Sequence, residues 1–304
     1  MVNINLKIYY MVIKILGDFV NNKIIDKDFF NENIIDVANE ENSQKIYIGR
    51  IYYIAKKHNL VSLMAQAMEK LGFESDSDIW KRWLKEKNQL IYKSVLMDVE
   101  REAIQDFFEK NNIWYMLLKG MVIRKYYPAP ELREMADNDI LFDNKYSKEV
   151  YEFMTARGYK CDDYNKGYHD EYLKPPAYNF EMHRQLVSSK ERPKWYEYYK
   201  DVKSILIKDT NENRETAANS ESNNTSNQFY FSFIVHTYKH FLISGMGLRT
   251  VLDVYLYVSN LQEKLDFDYI EEQLKKLDAY DFEQTFRSIA FKMFGKNAKE
   301  GNAA

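Results

Sequence analysis

Asp137-Asn138-Asp139 stands at the head of the apolar run Ile140-Leu141-Phe142. On an extended strand, residues two apart share a face, so both carboxylates project the same way. Two like charges that close repel unless a cation neutralises them. Hard divalent ions such as Mg²⁺ take carboxylate oxygens and keep positions open for phosphates. Residues 178–184 alternate as a second strand, with Asn179, Glu181 and His183 on one face and Tyr178, Phe180 and Met182 on the other. If the two strands are neighbours, Asp137, Asp139 and Glu181 converge, which is enough for a two-metal phosphoryl-transfer centre. Acids two apart are also common on exposed edge strands, where they bind nothing.

The elements around these acids favour the chemical reading. Residues 113–118 form a short continuous apolar run between Asn111-Asn112 and Lys119-Gly120, which reads as a buried strand. A short helix over 121–127 follows, stopped by Pro128 and Pro130. The turn at Lys119-Gly120 therefore offers backbone N–H groups and a helix dipole suited to phosphates, and Lys119 adds a point charge. Arg133, in the loop before Asp137, either contacts phosphate or pairs with Glu131 or Glu134. His183 either orients a metal ligand or the acceptor, or is a hydrogen-bonded strand residue.

Farther out the periodicity is helical. A helix is expected over 1–20. Apolar residues return every three or four positions through 51–71, with a break near His58-Asn59, and through 79–108. Residues 145–157 read as a helix capped by Gly158, and 229–242, 248–261, 267–277 and 282–294 as four more. Residues 208–228, rich in Asn, Ser, Thr and Glu, read as a flexible polar loop. The expected class is α+β. An N-terminal helical region (1–110) precedes a small mixed-sheet core (111–207), the loop, a C-terminal helical region (229–295) and a tail (296–304).

Composition limits the partners. A net charge of −3 over 304 residues, with no basic stripe carrying interleaved aromatics, gives no reason to expect nucleic acid. Gly (10) and Pro (5) are scarce, which disfavours turn-rich β architectures, and the single Cys161 cannot form an intrachain disulfide. No apolar stretch suffices for a membrane span and no signal peptide is recognisable, so a cytoplasmic protein without a membrane partner is expected.

Three further groups carry alternatives. His236 and His240 lie one helical turn apart, a spacing that suits zinc, but Thr237 stands where a metalloprotease needs Glu; packing or substrate contact is the simpler role. Arg249 and Asp253 read as a structural pair. Trp195, Tyr196, Tyr198 and Tyr199 either stack a base or form the apolar face of a helix.

The series Leu117-Leu118-Lys119-Gly120, Tyr126-Tyr127-Pro128, Arg133, Asp137-Asn138-Asp139-Ile140-Leu141 and Glu181-Met182-His183 resembles the uncharacterised nucleotidyltransferase family of the DNA polymerase β-like superfamily. The resemblance covers residues 110–190 and extends more loosely to His236, His240, Arg249 and Asp253. It implies a nucleoside triphosphate as substrate with Mg²⁺ or Mn²⁺. Asp137, Asp139 and Glu181 would hold metal, and Glu181 would complete the second metal site or act as general base. Lys119, Gly120 and Arg133 would contact phosphates, with His183 and His240 near the acceptor. The implied reaction moves a nucleoside monophosphate to a hydroxyl of a small molecule or protein; the alternative is a catalytically inactive nucleotide-binding or regulatory protein of the same fold. Departures from the superfamily pattern are Lys-Gly for Gly-Ser, 17 positions between Gly120 and Asp137, Asn138 for an apolar middle residue, and Glu181 for an aspartate.

Overall fold

The structure, a computed structural model, describes residues 4–24, 27–35, 46–176, 178–190, 192–202 and 223–295. Helix α1 (Ile4–Val20) packs against α3 (Ile48–Lys57) and α4 (Val61–Lys70). Between α1 and α3 lie α2 (Lys27–Asn33) and a two-residue parallel pair, β1 (Ile34–Ile35) with β2 (Ile46–Tyr47). The break between α3 and α4 falls at Asn59, whose φ of +54° a short amide side chain tolerates. Helix α5 (Asp78–Lys110) starts where Ser77 Oγ accepts from the Trp80 N–H, and it buries Trp80, Trp83, Ile104 and Phe108.

The polypeptide then forms a four-stranded mixed sheet from β3 (Tyr115–Leu117), β4 (Asn138–Phe142), β5 (His169–Lys174) and β6 (Tyr178–His183), in the order β3-β4-β6-β5. Strands β4 and β6 run parallel at the centre, and the outer strands pair antiparallel. One face packs Tyr115, Ile140, Phe142, Phe180 and Met182 on Phe108 of α5 and on Val150 and Met154 of α7 (Ser147–Ala156). On the other, Met116, Leu118 and Leu141 join the larger core shared with the C-terminal helices. Gly158 ends α7 at φ +84°, the expected left-handed cap. The remaining helices are α8 (Pro193–Tyr199), α9 (Asn223–Ser244), α10 (Leu248–Leu261), α11 (Phe267–Lys276) and α12 (Tyr280–Phe294).

This is the α+β arrangement with helical flanks that the sequence implied, with three differences. The helix expected over 121–127 is one turn, α6 (Gly120–Ile123), followed by a 3₁₀ turn at Arg124–Tyr126. Strand β5 was not anticipated. The end of the polar tract is helix, not loop: α9 begins at Asn223, and Ser226, Asn227 and Gln228 are buried. Tertiary bonds hold that start in place, since Asn227 Oδ1 accepts from the Asp266 N–H (2.9 Å) and the Ser226 carbonyl from Tyr257 OH (3.0 Å). The rest of the tract, 208–222, and the tail, 296–304, lie outside the described residues. Among the described residues no helix is long and apolar enough to cross a membrane.

A half-buried histidine fixes the entry of α10. His58 Nδ1 accepts from the Leu248 N–H (3.2 Å), while Nε2 meets Tyr9 OH at 2.9 Å. Burial, with the nearby Lys57 charge, pulls its pKa below 6.5, so the neutral ring joins α1, α3 and the first turn of α10. That turn carries Arg249 and leads into Asp253.

Candidate active site

Across the central parallel pair, Asp139 is in register with Glu181 and Leu141 with His183. All four therefore point to the face away from Phe180 and Met182. Atoms of Asp139, Glu181 and His183 lie within 4.8 Å of one another. His183 Nε2 is 2.9 Å from Asp139 Oδ1 and 3.3 Å from Glu181 Oε2. Lys119 reaches over from the end of β3, its Nζ 2.5 Å from the same Asp139 oxygen and 3.9 Å from Glu181 Oε2. The sequence suggested Asp137, Asp139 and Glu181 as the converging trio; in the tightest group, His183 stands in place of Asp137. Asp137, one residue before β4, is half-buried and lines the same cavity. Asn138 turns to the opposite face, fully buried, as the alternation requires.

Burial and charge work against each other here. Burial pushes the Asp139 carboxyl up, but hydrogen bonds and charge from His183 and Lys119 hold it far below the usual carboxylate range. Asp137 goes the other way, raised by burial and then by its neighbour Asp139. Burial pulls Lys119 down, yet Asp139 outweighs it and the ammonium is held more tightly than in water. In His183 burial also favours the neutral ring, and the bonds to Asp139 and Glu181 reverse that, raising its pKa above 6.5.

A raised folded-state pKa means that the His183 proton stabilises the fold fully below the unfolded value of about 6.5, and the benefit is lost as pH rises through the higher folded value. Without added metal, His183→Gln should therefore trail the wild type in stability most at acid pH, with the gap narrowing as pH rises above about 6.5. Urea unfolding across that range measures it; a gap independent of pH contradicts the ion pair.

The turn beside the acids has unusual backbone geometry. The Leu118 N–H donates to the Asp139 carbonyl (3.0 Å), and Lys119 then adopts φ +50° and ψ −121° before α6 begins. A side chain in that region is strained, and such strain concentrates at functional sites. Gly120 is required for space: a Cβ there would lie 2.1 Å from Arg133 Nη1. Arg133 cannot easily yield, because its Nε and Nη2 donate to Asp253 Oδ1 and Oδ2 (2.9 and 2.8 Å), and Tyr127 OH adds a third bond to Oδ1 (2.7 Å). Gly120→Ala should therefore destabilise the protein by about 1–3 kcal/mol, as overpacking does. A thermal melt checks this, and an unchanged midpoint would show that Arg133 is free to move.

These contacts correct two expectations. The acid partner of Arg133 is neither Glu131 nor Glu134 but Asp253, which leaves Nη1 beside Gly120 as the donor nearest the cleft. Arg249 is not paired with Asp253; its Nη1 donates to the Glu134 carbonyl (2.6 Å), and it lines the cavity facing the acids.

The cavity measures about 440 Å³, in the range of small-molecule sites. Four of the five histidines in the chain line it, His169, His183, His236 and His240, so a rare side chain is concentrated at this one place. The His236 and His240 rings sit 4.4 Å apart, as their spacing predicts, and the exposed His240 is at the mouth. Burial, then the Lys119 charge, lowers the pKa of both. Among the described residues no third ligand joins them, so the zinc reading has no site.

Sequence reasoning missed His169, whose ring lies 5.0 Å from His183, and the Tyr168–Lys239 contact across the cavity (3.2 Å between OH and Nζ). All follow from placing β5 beside β6. Its segment, His-Asp-Glu-Tyr-Leu-Lys, alternates in burial but has few strand-favouring side chains to reveal it.

The oxygens of Asp139 and Glu181 suit Mg²⁺, with Asp137 close by, and the His183 nitrogen would be better accepted by Mn²⁺. The residues present thus fit a divalent ion. No curated protein and no solved structure matches the chain. The sequence profile of the uncharacterised nucleotidyltransferase family matches residues 44–295, a span that includes the whole four-stranded sheet, the Lys119-Gly120 turn and the helices α9 to α12. With more than half its length matched, and the acids and turn inside that match, the chain belongs to the uncharacterised nucleotidyltransferase family.

Proposed function

We propose that the protein transfers a nucleoside monophosphate from a nucleoside triphosphate to a hydroxyl of a small molecule or protein, with Mg²⁺ or Mn²⁺. The observation that carries this reading is the register of Asp139 with Glu181 on neighbouring strands, where Glu181 and Asp137 line a cavity beside the Lys119-Gly120 turn. A bound divalent ion supplies Lewis-acid neutralisation of the triphosphate. Asp139 and Glu181 hold that charge in place, and Asp137, raised toward neutrality in its absence, adds a third carboxylate when the ion is present. Glu181, the less buried of the two strand acids, is the base for the acceptor hydroxyl when it is not itself a ligand of the ion. Lys119 gives up Asp139 and takes the phosphate oxygens, where positive charge stabilises the departing pyrophosphate. Arg133, locked on Asp253, holds the turn that presents those donors.

One observation favours a second reading. Lys119 Nζ already neutralises Asp139, which a non-catalytic nucleotide binder would use as a permanent counter-charge in place of metal. A thermal-shift series with ATP, GTP, CTP and UTP, with and without Mg²⁺ or Mn²⁺, separates the two. Stabilisation by a nucleotide only with metal, abolished by the Asp137→Ala and Asp139→Ala pair of changes, supports the transferase. Metal-independent stabilisation supports the binder, and indifference to every nucleotide defeats both.

A further inference from the structure

The cavity extends past the acids to an end that the proposed chemistry does not use. Phe229, Ser232, Phe233, His236 and His240 of α9 line it at helical spacing, so one face of α9 forms a wall from the inner end to the mouth. His236 lines the same cavity as Lys119, Glu181 and His183, so its turn of α9 marks the reacting end. From there to Phe229 is seven residues, about 10 Å along the helix, roughly the reach of a nucleoside from its first phosphate.

The inner end is aromatic. The Phe229 and Phe233 rings lie 4° from parallel with centroids 6.1 Å apart, and both line the cavity. Trp195 and Tyr199, one turn apart on α8, close the other side. The Trp195 Nε1–H is already spent on the Leu277 carbonyl (3.0 Å), so only its ring is offered. Among the described residues two hydroxyls in this apolar lining, Tyr199 OH and Ser232 Oγ, have no partner at hydrogen-bond geometry. Tyr199 is only 2% exposed. Burial pushes its phenol up and hydrogen bonding toward Ser232 pulls it down, so the two hydroxyls lie near each other, but not at the distance and angle of a full hydrogen bond. A buried hydroxyl left unpaired is unfavourable until a ligand satisfies it. An alkyl chain would leave both unpaired, whereas a planar heterocycle with donors and acceptors on its edge satisfies them while its faces meet the aromatic rings.

We propose that the recess between α8 and α9, walled by Trp195, Tyr199, Phe229 and Phe233, is the base-binding subsite, with Tyr199 OH and Ser232 Oγ bonding to the edge of the nucleobase. This rests on the nucleotidyltransferase reading above and adds to it an orientation: base inward, triphosphate over the acids, acceptor entering by the mouth at His240.

Tyr199→Phe and Ser232→Ala remove one hydroxyl each and keep the surrounding shape. Calorimetric titration of the wild type with the four nucleoside triphosphates and with inorganic tripolyphosphate, in Mg²⁺, identifies the tightest nucleotide. Each variant should bind that nucleotide about five- to tenfold more weakly, with tripolyphosphate affinity unchanged. Unaltered nucleotide affinity in both variants overturns the subsite while leaving nucleotide binding intact. Equal weakening of nucleotide and tripolyphosphate also overturns it, since the effect is then general disturbance. If the wild type binds no nucleotide, the transferase reading falls and the subsite with it.

Discussion

Asp139→Asn should lower metal-dependent pyrophosphate release by about three orders of magnitude at saturating nucleotide, the scale expected when a preorganised charge is removed from a catalytic centre. Asp139 is 3% exposed and accepts from both Lys119 and His183, so it is the acid on which the site's cations converge. Asparagine keeps its shape but loses the charge that neutralises an ion, and it leaves Lys119 with Glu181 as its nearest carboxylate at 3.9 Å. Part of the loss should appear as weaker metal affinity, so rates are compared across a Mn²⁺ titration. Activity within tenfold of the wild type at every metal concentration would place the chemistry elsewhere.

The largest effect on stability is expected at Asp253→Ala, a loss of about 3–5 kcal/mol in urea unfolding, because removing one partner of a buried pair leaves the other charged and unsatisfied. Three donors from two different segments end on this one carboxylate: two from Arg133 and one from Tyr127. Burial opposes the Arg133 charge, and Asp253 more than offsets that. Arg133→Lys should also be poorly tolerated, since an ammonium cannot reproduce the two-point contact. The double change Asp253→Ala with Arg133→Met should recover part of the loss, because no charge is then stranded. A loss below about 1 kcal/mol for Asp253→Ala would mean that water reaches the pair.

Much of this arrangement was legible in the sequence because it depends on local rules. Helix α5, the break at Asn59, the cap at Gly158 and the four C-terminal helices follow from apolar periodicity and left-handed termini. Alternation alone assigned Glu181 and His183 to one face of a strand, and Asn138 to the far side of another. What could not be read was which strands lie side by side, and in what register. That information placed His183 in the tight group ahead of Asp137, and brought His169 to the cavity on a strand whose own residues scarcely announce one. Arg133 and Asp253 are 120 positions apart, so nothing local could join them, and the nearer Glu131 and Glu134 were the natural but mistaken partners. Ser226 to Gln228 looked like loop by composition; partners on α10 and before α11 made them buried helix.

The ammonium of Lys119 resting on Asp139 bears on the sequence of events at the centre. A free ion approaching the nucleotide-free protein must compete with a tethered cation that no dilution removes. On the proposed reading, an ion arriving already chelated by a triphosphate avoids that contest, because the phosphate oxygens give the lysine somewhere else to go. The protein would thus load its two partners as one package, and the strained backbone at Lys119 would set how far the side chain must travel to make the exchange.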